Sequence, residues 1–380
     1  MTLTTALTTL GHLGVPEADT PRLHVDIDLV ADAYLALASA LPGVRVHYAV
    51  KANPGAPVLA RLQRLGCAWD VASPGEICGV IAASGRPEDL SYGNTVKRAQ
   101  DIMYAYQVGV RTFTVDSPGE LSKLVEHAPG ALLLVRITTS GVTADWALSS
   151  KFGCDLSEAG HLLLAAARAG HPVGVAFHVG SQQRDPGAWA APLRATAALR
   201  SVLRHHGFDL AKVDLGGGFP CHTLDLAPRV SEYGARVMAE VRAAFGDDAP
   251  PLMAEPGRAL VADAGVLETE VLLVAERADG RWVYLDAGVF GGLAETLGES
   301  IKYRISVRRD GRDVGGPTVP AVLAGPTCDS VDVLYREYRY ELPADLRPGD
   351  RLLFHGTGAY TTTYSSVGFN GLPPLRATYR

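Results

Sequence analysis

Short apolar runs alternate with longer Ala- and Leu-rich stretches through the first two thirds of the chain. The apolar runs predict strands at Val44–Val50, Ala68–Val71, Leu90–Tyr92, Thr112–Val115, Ala131–Ile137, Val173–His178, Lys212–Leu215 and Pro251–Ala254. Between them the spacing predicts helices, among them Leu29–Ala40, Gly75–Ala83, Ser117–Glu126, Ser157–Ala169, Trp189–His205 and Ser231–Ala244. Each strand is apolar along its length, as a parallel strand covered on both faces should be. Eight such strands in alternation with helices point to an α/β fold with a (β/α)8 barrel. After about Ala264 strands follow one another with turns between them: Gly265–Ala275, Trp282–Asp286, Ile305–Arg308, Ala321–Ala324 and Arg351–Phe354. Asp310-Gly311 and Asp279-Gly280 are turn signals. The division expected is a barrel over 22–264 and a mostly β domain built from 1–21 and 265–380.

Composition narrows the class. The 380 residues are 47% hydrophobic and carry a net charge of −6, which gives no footprint for nucleic acid or anionic membrane. Five cysteines without paired spacing argue against a disulfide framework or a metal site and favour a reducing compartment. Met1–Leu13 has no basic start and no apolar core, so no signal peptide is read, and no stretch reaches membrane-spanning length. The expected location is the cytoplasm.

Six segments carry chemistry. Lys51 ends the first strand, where desolvation would favour the neutral amine that builds a Schiff base. His178 ends another strand, as a ring to stack on a cofactor or as a satisfied core histidine. Gly216-Gly217-Gly218 follows Asp214 and reads as an anion cradle or a tight loop. Glu255-Pro256-Gly257-Arg258 ends the last strand, and its carboxylate could keep a pyridine nitrogen protonated or simply pair with Arg258. Cys328-Asp329 offers a proton donor beside a cation binder, or a buried thiol beside a capping Asp. Tyr360, in Gly358-Ala359-Tyr360-Thr361, offers a phosphate contact or a structural ring.

Together these segments resemble the pyridoxal-phosphate-dependent decarboxylases with an alanine-racemase-like barrel, from about Thr20 onward. Cys328-Asp329, Tyr360-Thr361 and Phe369-Asn370-Gly371 look like the ornithine/lysine decarboxylase branch in its short bacterial form. The resemblance implies decarboxylation of a basic L-amino acid, ornithine ahead of lysine. The alternatives are diaminopimelate, arginine or a specialised amino acid, then a racemase or a non-catalytic homologue. It implies pyridoxal 5'-phosphate held by Lys51, Asp70, Arg136, His178, Ser181, Gly216, Gly217, Gly218, Glu255, Gly257, Arg258 and Tyr360, with Glu76 nearby. Lys51, His178 and Cys328 would be catalytic. Asp329, Glu299 and Tyr360 would meet substrate. It also implies a homodimer with shared sites, bridged by Lys151 of one copy and Asp332 of the other. Gly298-Glu299 departs from the acidic pair common in bacterial relatives.

Overall fold

A computed structural model describes residues 19–139, 144–146 and 151–380. The Met1–Leu13 segment lies outside them. Eight parallel strands close into a barrel: Val44–Ala49, Ala68–Val71, Leu90–Tyr92, Thr112–Val115, Leu132–Arg136, Val173–Ala176, Leu210–Asp214 and Leu252–Ala254. Each pairs with its neighbour in chain order, and the last returns to the first through Leu252 opposite Val44.

The helices begin where the sequence supplies acceptors. Asp26, Ser73, Ser117 and Asp155 each accept a backbone N–H of the first turn with the side chain. Ser73-Pro74 and Ser117-Pro118 add proline just inside the start. Ala99–Gln107 is a helix outside the Ala/Leu-rich expectation; it carries two tyrosines and two glutamines, and buries only Ile102 and Ala105.

Outward-facing barrel residues such as Trp69, Phe113 and Val175 pack under the helices in the core. The inward face is different. Leu134, Ala176 and Met253 form one small apolar cluster of their own, while Asp70, Ser91, Thr114 and Asp214 are buried on other strands. The expected near-continuous apolar character therefore holds for the helix-facing side. Inside, the barrel carries charge toward its C-terminal mouth.

A nine-stranded sheet follows. Gly265–Arg277 pairs with Gly280–Leu285 and with Arg351–His355, and Thr318–Ala324 pairs with Val333–Pro343. Arg22–Val25 lies in this sheet, antiparallel to Gly265–Arg277 and parallel to Arg376–Tyr379. This corrects the assignment of residues 22–25 to the barrel. Four residues alternating half-buried and buried match a sheet edge as well as a barrel stave, and pairing decides between them.

Candidate active site

The barrel mouth collects the charged strand ends. Lys51 sits in a single 3-10 turn, Val50–Ala52, directly after Val44–Ala49. Asp70 projects from the next strand, and Lys51 Nζ donates to its Oδ2 at 2.5 Å. The lysine side chain remains 48% exposed at the pocket wall. Desolvation opposes its charge, but Asp70, Tyr360 and Glu255 outweigh it and raise its pKa above the ordinary lysine value. The expectation of a neutral amine is thus corrected: in the ligand-free chain a carboxylate at contact distance overrides desolvation.

Glu255 follows Leu252–Ala254, and its backbone N–H donates to Gly216 O at 2.8 Å. Its Oε1 is buried without a hydrogen-bond partner among the described residues. A methyl group placed on Gly93 would fall 2.2 Å from Asp70 Oδ1 and 3.3 Å from Glu255 Oε1, so both carboxylates converge there. Burial first, then the charges of Asp214 and Asp70, push the Glu255 carboxyl well above the usual carboxylate range. Asp214 accepts from Gly216 N at 2.8 Å; burial first, then the charge of Asp70, push its carboxyl up to about 7. The sequence offered only the run Asp214-Leu215-Gly216 as a signal for this carboxyl.

His178 lies beside them, its Nδ1 accepting from Gly180 N at 3.0 Å. Burial, then Arg136 and Lys51, lower its pKa to about 3, so the ring is neutral at pH 7. Gly217 faces that ring: an added Cβ would stand 3.1 Å from His178 Nε2 and 2.8 Å from Glu255 O. Gly216 and Gly218 adopt φ of +67° and +99°, which leaves the loop close against Phe177 and Gly180.

Arg258 opens the short helix Arg258–Val261, with its guanidinium buried. It donates to Ser181 Oγ at 3.4 Å, lies 5.0 Å from the Tyr360 ring centroid, and pairs with Glu295 through Nη1 to Oε2 at 2.8 Å. A second contact joins Nη2 to Glu295 Oε1. Glu295 is a site residue that sequence reasoning missed, because a lone Glu in a loop of the β domain gives no pattern. Tyr360 reaches the pocket from a residue at φ +57°, anchored by its N–H to Ala52 O at 2.8 Å.

These groups line one cavity of about 160 Å³: Lys51, His178, Ser181, Gly217, Gly218, Glu255, Gly257, Arg258, Glu295, Tyr360 and Tyr364 among them. Gly216 closes it from behind through Glu255 N, and Arg136 acts on His178 and Glu255 by charge. Glu76 caps the next helix, its Oε2 accepting from Ala72 N at 2.7 Å. A larger hollow near Ile137 and Arg194 lacks this convergence of charges.

The remaining candidates lie elsewhere. Cys328 and Asp329 stand on an exposed turn and do not line the cavity. Glu299 is turned away: its carboxylate accepts from the backbone N–H groups of Arg336, Glu337 and Tyr338 at 2.8, 2.7 and 3.0 Å. The carboxylate of Glu299 is thus anchored to three amides of a strand. Asp332 is 2% exposed, and accepts from Val289 N, Thr327 N and Thr327 Oγ1 within its own chain. Lys151 is exposed, with Nζ 4.9 Å from the Phe152 ring centroid.

A closed barrel with a lysine, a glycine cradle and a buried carboxylate at its mouth, backed by a β domain, defines the class of barrel enzymes that use pyridoxal phosphate. The family model for the pyridoxal-dependent decarboxylase pyridoxal-binding domain matches residues 27–262, and the chain belongs to that family. It is 34% identical over 358 residues to the lysine/ornithine decarboxylase of Selenomonas ruminantium, covering 93% of this chain and 87% of the relative. The lysine/ornithine decarboxylase of Vibrio vulnificus complexed with cadaverine superposes with TM-score 0.85 at 29% identity, covering all of both chains. The Paramecium bursaria Chlorella virus arginine decarboxylase bound to agmatine does so with TM-score 0.86 at 28% identity, over 98% of this chain and all of the other. The chain is accordingly a decarboxylase whose cofactor is pyridoxal phosphate.

Proposed function

We propose that the protein decarboxylates a basic L-amino acid, with L-ornithine first and L-lysine second. The observation that carries the reading is the grouping of Lys51, His178, Gly217, Gly218, Glu255, Arg258 and Tyr360 around one cavity. Support for the substrate class comes from relatives named for lysine, ornithine and arginine.

The residues present fit pyridoxal phosphate. The orphaned buried oxygen of Glu255 suits a pyridinium N–H. The glycine loop suits a phosphate, with Ser181, Arg258 and Tyr360 at its rim. When bound, the cofactor supplies the electron sink for the carbanion left by carbon dioxide. Lys51 would hold the cofactor covalently and its amine would free the product. His178, neutral at pH 7, would border the cofactor without adding charge. Asp329 uses Oδ1 on Val331 N at 2.9 Å and keeps its other oxygen for the substrate's distal cation. Cys328 delivers the proton to Cα.

Cys328 and Asp329 stand apart from Lys51's cavity, which supports a site completed by a second copy of the chain. With Glu299 engaged by backbone amides, the distal amine depends on Asp329. The test is amine production and carbon dioxide release from L-ornithine, L-lysine, L-arginine and meso-diaminopimelate, compared as kcat/KM. Ornithine or lysine should lead by at least about tenfold, the discrimination worth ~1.4 kcal/mol. Preference for arginine or diaminopimelate would overturn the substrate assignment and leave the reaction class standing.

A further inference from the structure

The turn that bears Cys328 is held by a residue with no role so far. Asn370 accepts from the Cys328 backbone N–H through Oδ1 at 3.1 Å and donates through Nδ2 to Cys328 Sγ at 3.4 Å. The first contact decides the second. An N–H can only face the amide oxygen, so the amide NH2 must face sulfur. Asn370 therefore grips one residue at two points, backbone and side chain.

Its own position is built for this. Asn370 has φ +51°, a conformation that Asn tolerates better than most residues. The flanking turn is closed by Gly371 N to Gly368 O at 2.9 Å and Leu372 N to Phe369 O at 3.0 Å. Phe369 packs on Phe290 with ring centroids 4.6 Å apart. Asp332 ties the same two neighbourhoods from the other side, through Val289 N and Thr327 N. Three loops, around 290, 328 and 370, are thus tied to one another, and the last of them reaches the thiol.

We infer that Asn370 is a positioning residue that aims the Cys328 thiol for proton delivery; the inference rests on the proposed role of Cys328. With Nδ2–H donated to sulfur, the S–H hydrogen points away from Asn370 and toward whatever faces the turn. After the proton leaves, the sulfur keeps a hydrogen-bond donor. A thiol that swings freely would miss Cα in some turnovers. Solvent then protonates the cofactor carbon instead, and hydrolysis by water yields an aldehyde and the amine form of the cofactor in place of amine product and intact cofactor. No oxidant is required; the two routes differ only in where the proton lands.

The experiment compares Cys328→Ala, Asn370→Gly and Asn370→Asp as holoenzymes. Glycine accepts φ +51° without strain, and aspartate keeps the acceptor for Cys328 N but loses the donor to sulfur. Aldehyde per turnover is measured by mass spectrometry, and accumulation of the amine-form cofactor by absorbance. Both Asn370 variants should raise the misdirected fraction in the direction of Cys328→Ala, with kcat lower by about tenfold and KM within about twofold. Crystal structures of the cofactor-free Asn370→Gly and wild-type proteins give a separate readout: one Cys328 rotamer in the wild type, more than one in the variant. A normal product ratio and a single rotamer in Asn370→Gly, while Cys328→Ala misdirects, would overturn the inference. A normal product ratio in Cys328→Ala would instead remove the thiol from the proposed mechanism, and Asn370's role with it.

Discussion

Three carboxyl groups, Asp70, Asp214 and Glu255, meet two cations, Lys51 and Arg136, at the barrel mouth. Burial, reinforced by the surplus of acid over base, explains why Asp214 and Glu255 resist ionisation. The folded Asp214 holds a proton that the unfolded chain gives up from its ordinary range near pH 4 upward. Folding stability of the cofactor-free protein from this group therefore falls as pH rises from about 4 to about 7. Asp214→Asn removes the titration, so its stability relative to wild type, read from melting curves, should climb between pH 5 and pH 7 by on the order of 1 kcal/mol per pH unit. Parallel melting curves across that range would sink the idea. Lys51, Glu255 and the glycine loop were legible in the sequence because strand ends and Gly runs leave a pattern. Glu295 and the Asn370 grip were not, since each depends on a contact formed across the fold. The anchoring of Glu299 by three strand amides likewise left no mark in the sequence.

At the level of elements, the loop after Leu210–Asp214 is the narrowest fit in the site. A methyl group on Gly216 would lie 1.9 Å from Phe177 O, with backbone at φ +67°. Gly216→Ala should therefore destabilise the chain by roughly 2–4 kcal/mol through strain and overpacking. It should also weaken pyridoxal phosphate binding, read by urea denaturation and cofactor titration; wild-type stability would refute the close approach. The barrel strands were legible to within about two residues because each is short, apolar and bounded by turns. Val333–Pro343 escaped notice because its middle, Arg336 to Arg339, is mostly exposed and polar. Ala99–Gln107 escaped for the opposite reason to its neighbours, a helix with few aliphatic residues and a thin buried stripe.

Across the whole molecule, the separation of Lys51 from Cys328 leads to a direct test of a shared site. Lys51→Ala and Cys328→Ala proteins, each impaired alone, should recover activity after mixing and exchange. Random pairing of two-fold dimers leaves about a quarter of the sites intact. No recovery, with exchange verified by mass, would place Cys328 and Lys51 in one chain's site. The fold class was legible from the order of strands and helices alone, whereas the joining of Arg22–Val25 to a sheet some 240 residues further on required the closed structure. One consequence of the Arg258–Glu295 pair reaches beyond the cavity. Arg258 belongs to the barrel and Glu295 to the loop Ala294–Glu299 beyond it, and both side chains are 4% exposed. A buried guanidinium without a partner would be an unbalanced charge inside the protein. Glu295 is the resident anion that balances it, so the same pair also stitches the barrel to the domain beyond it.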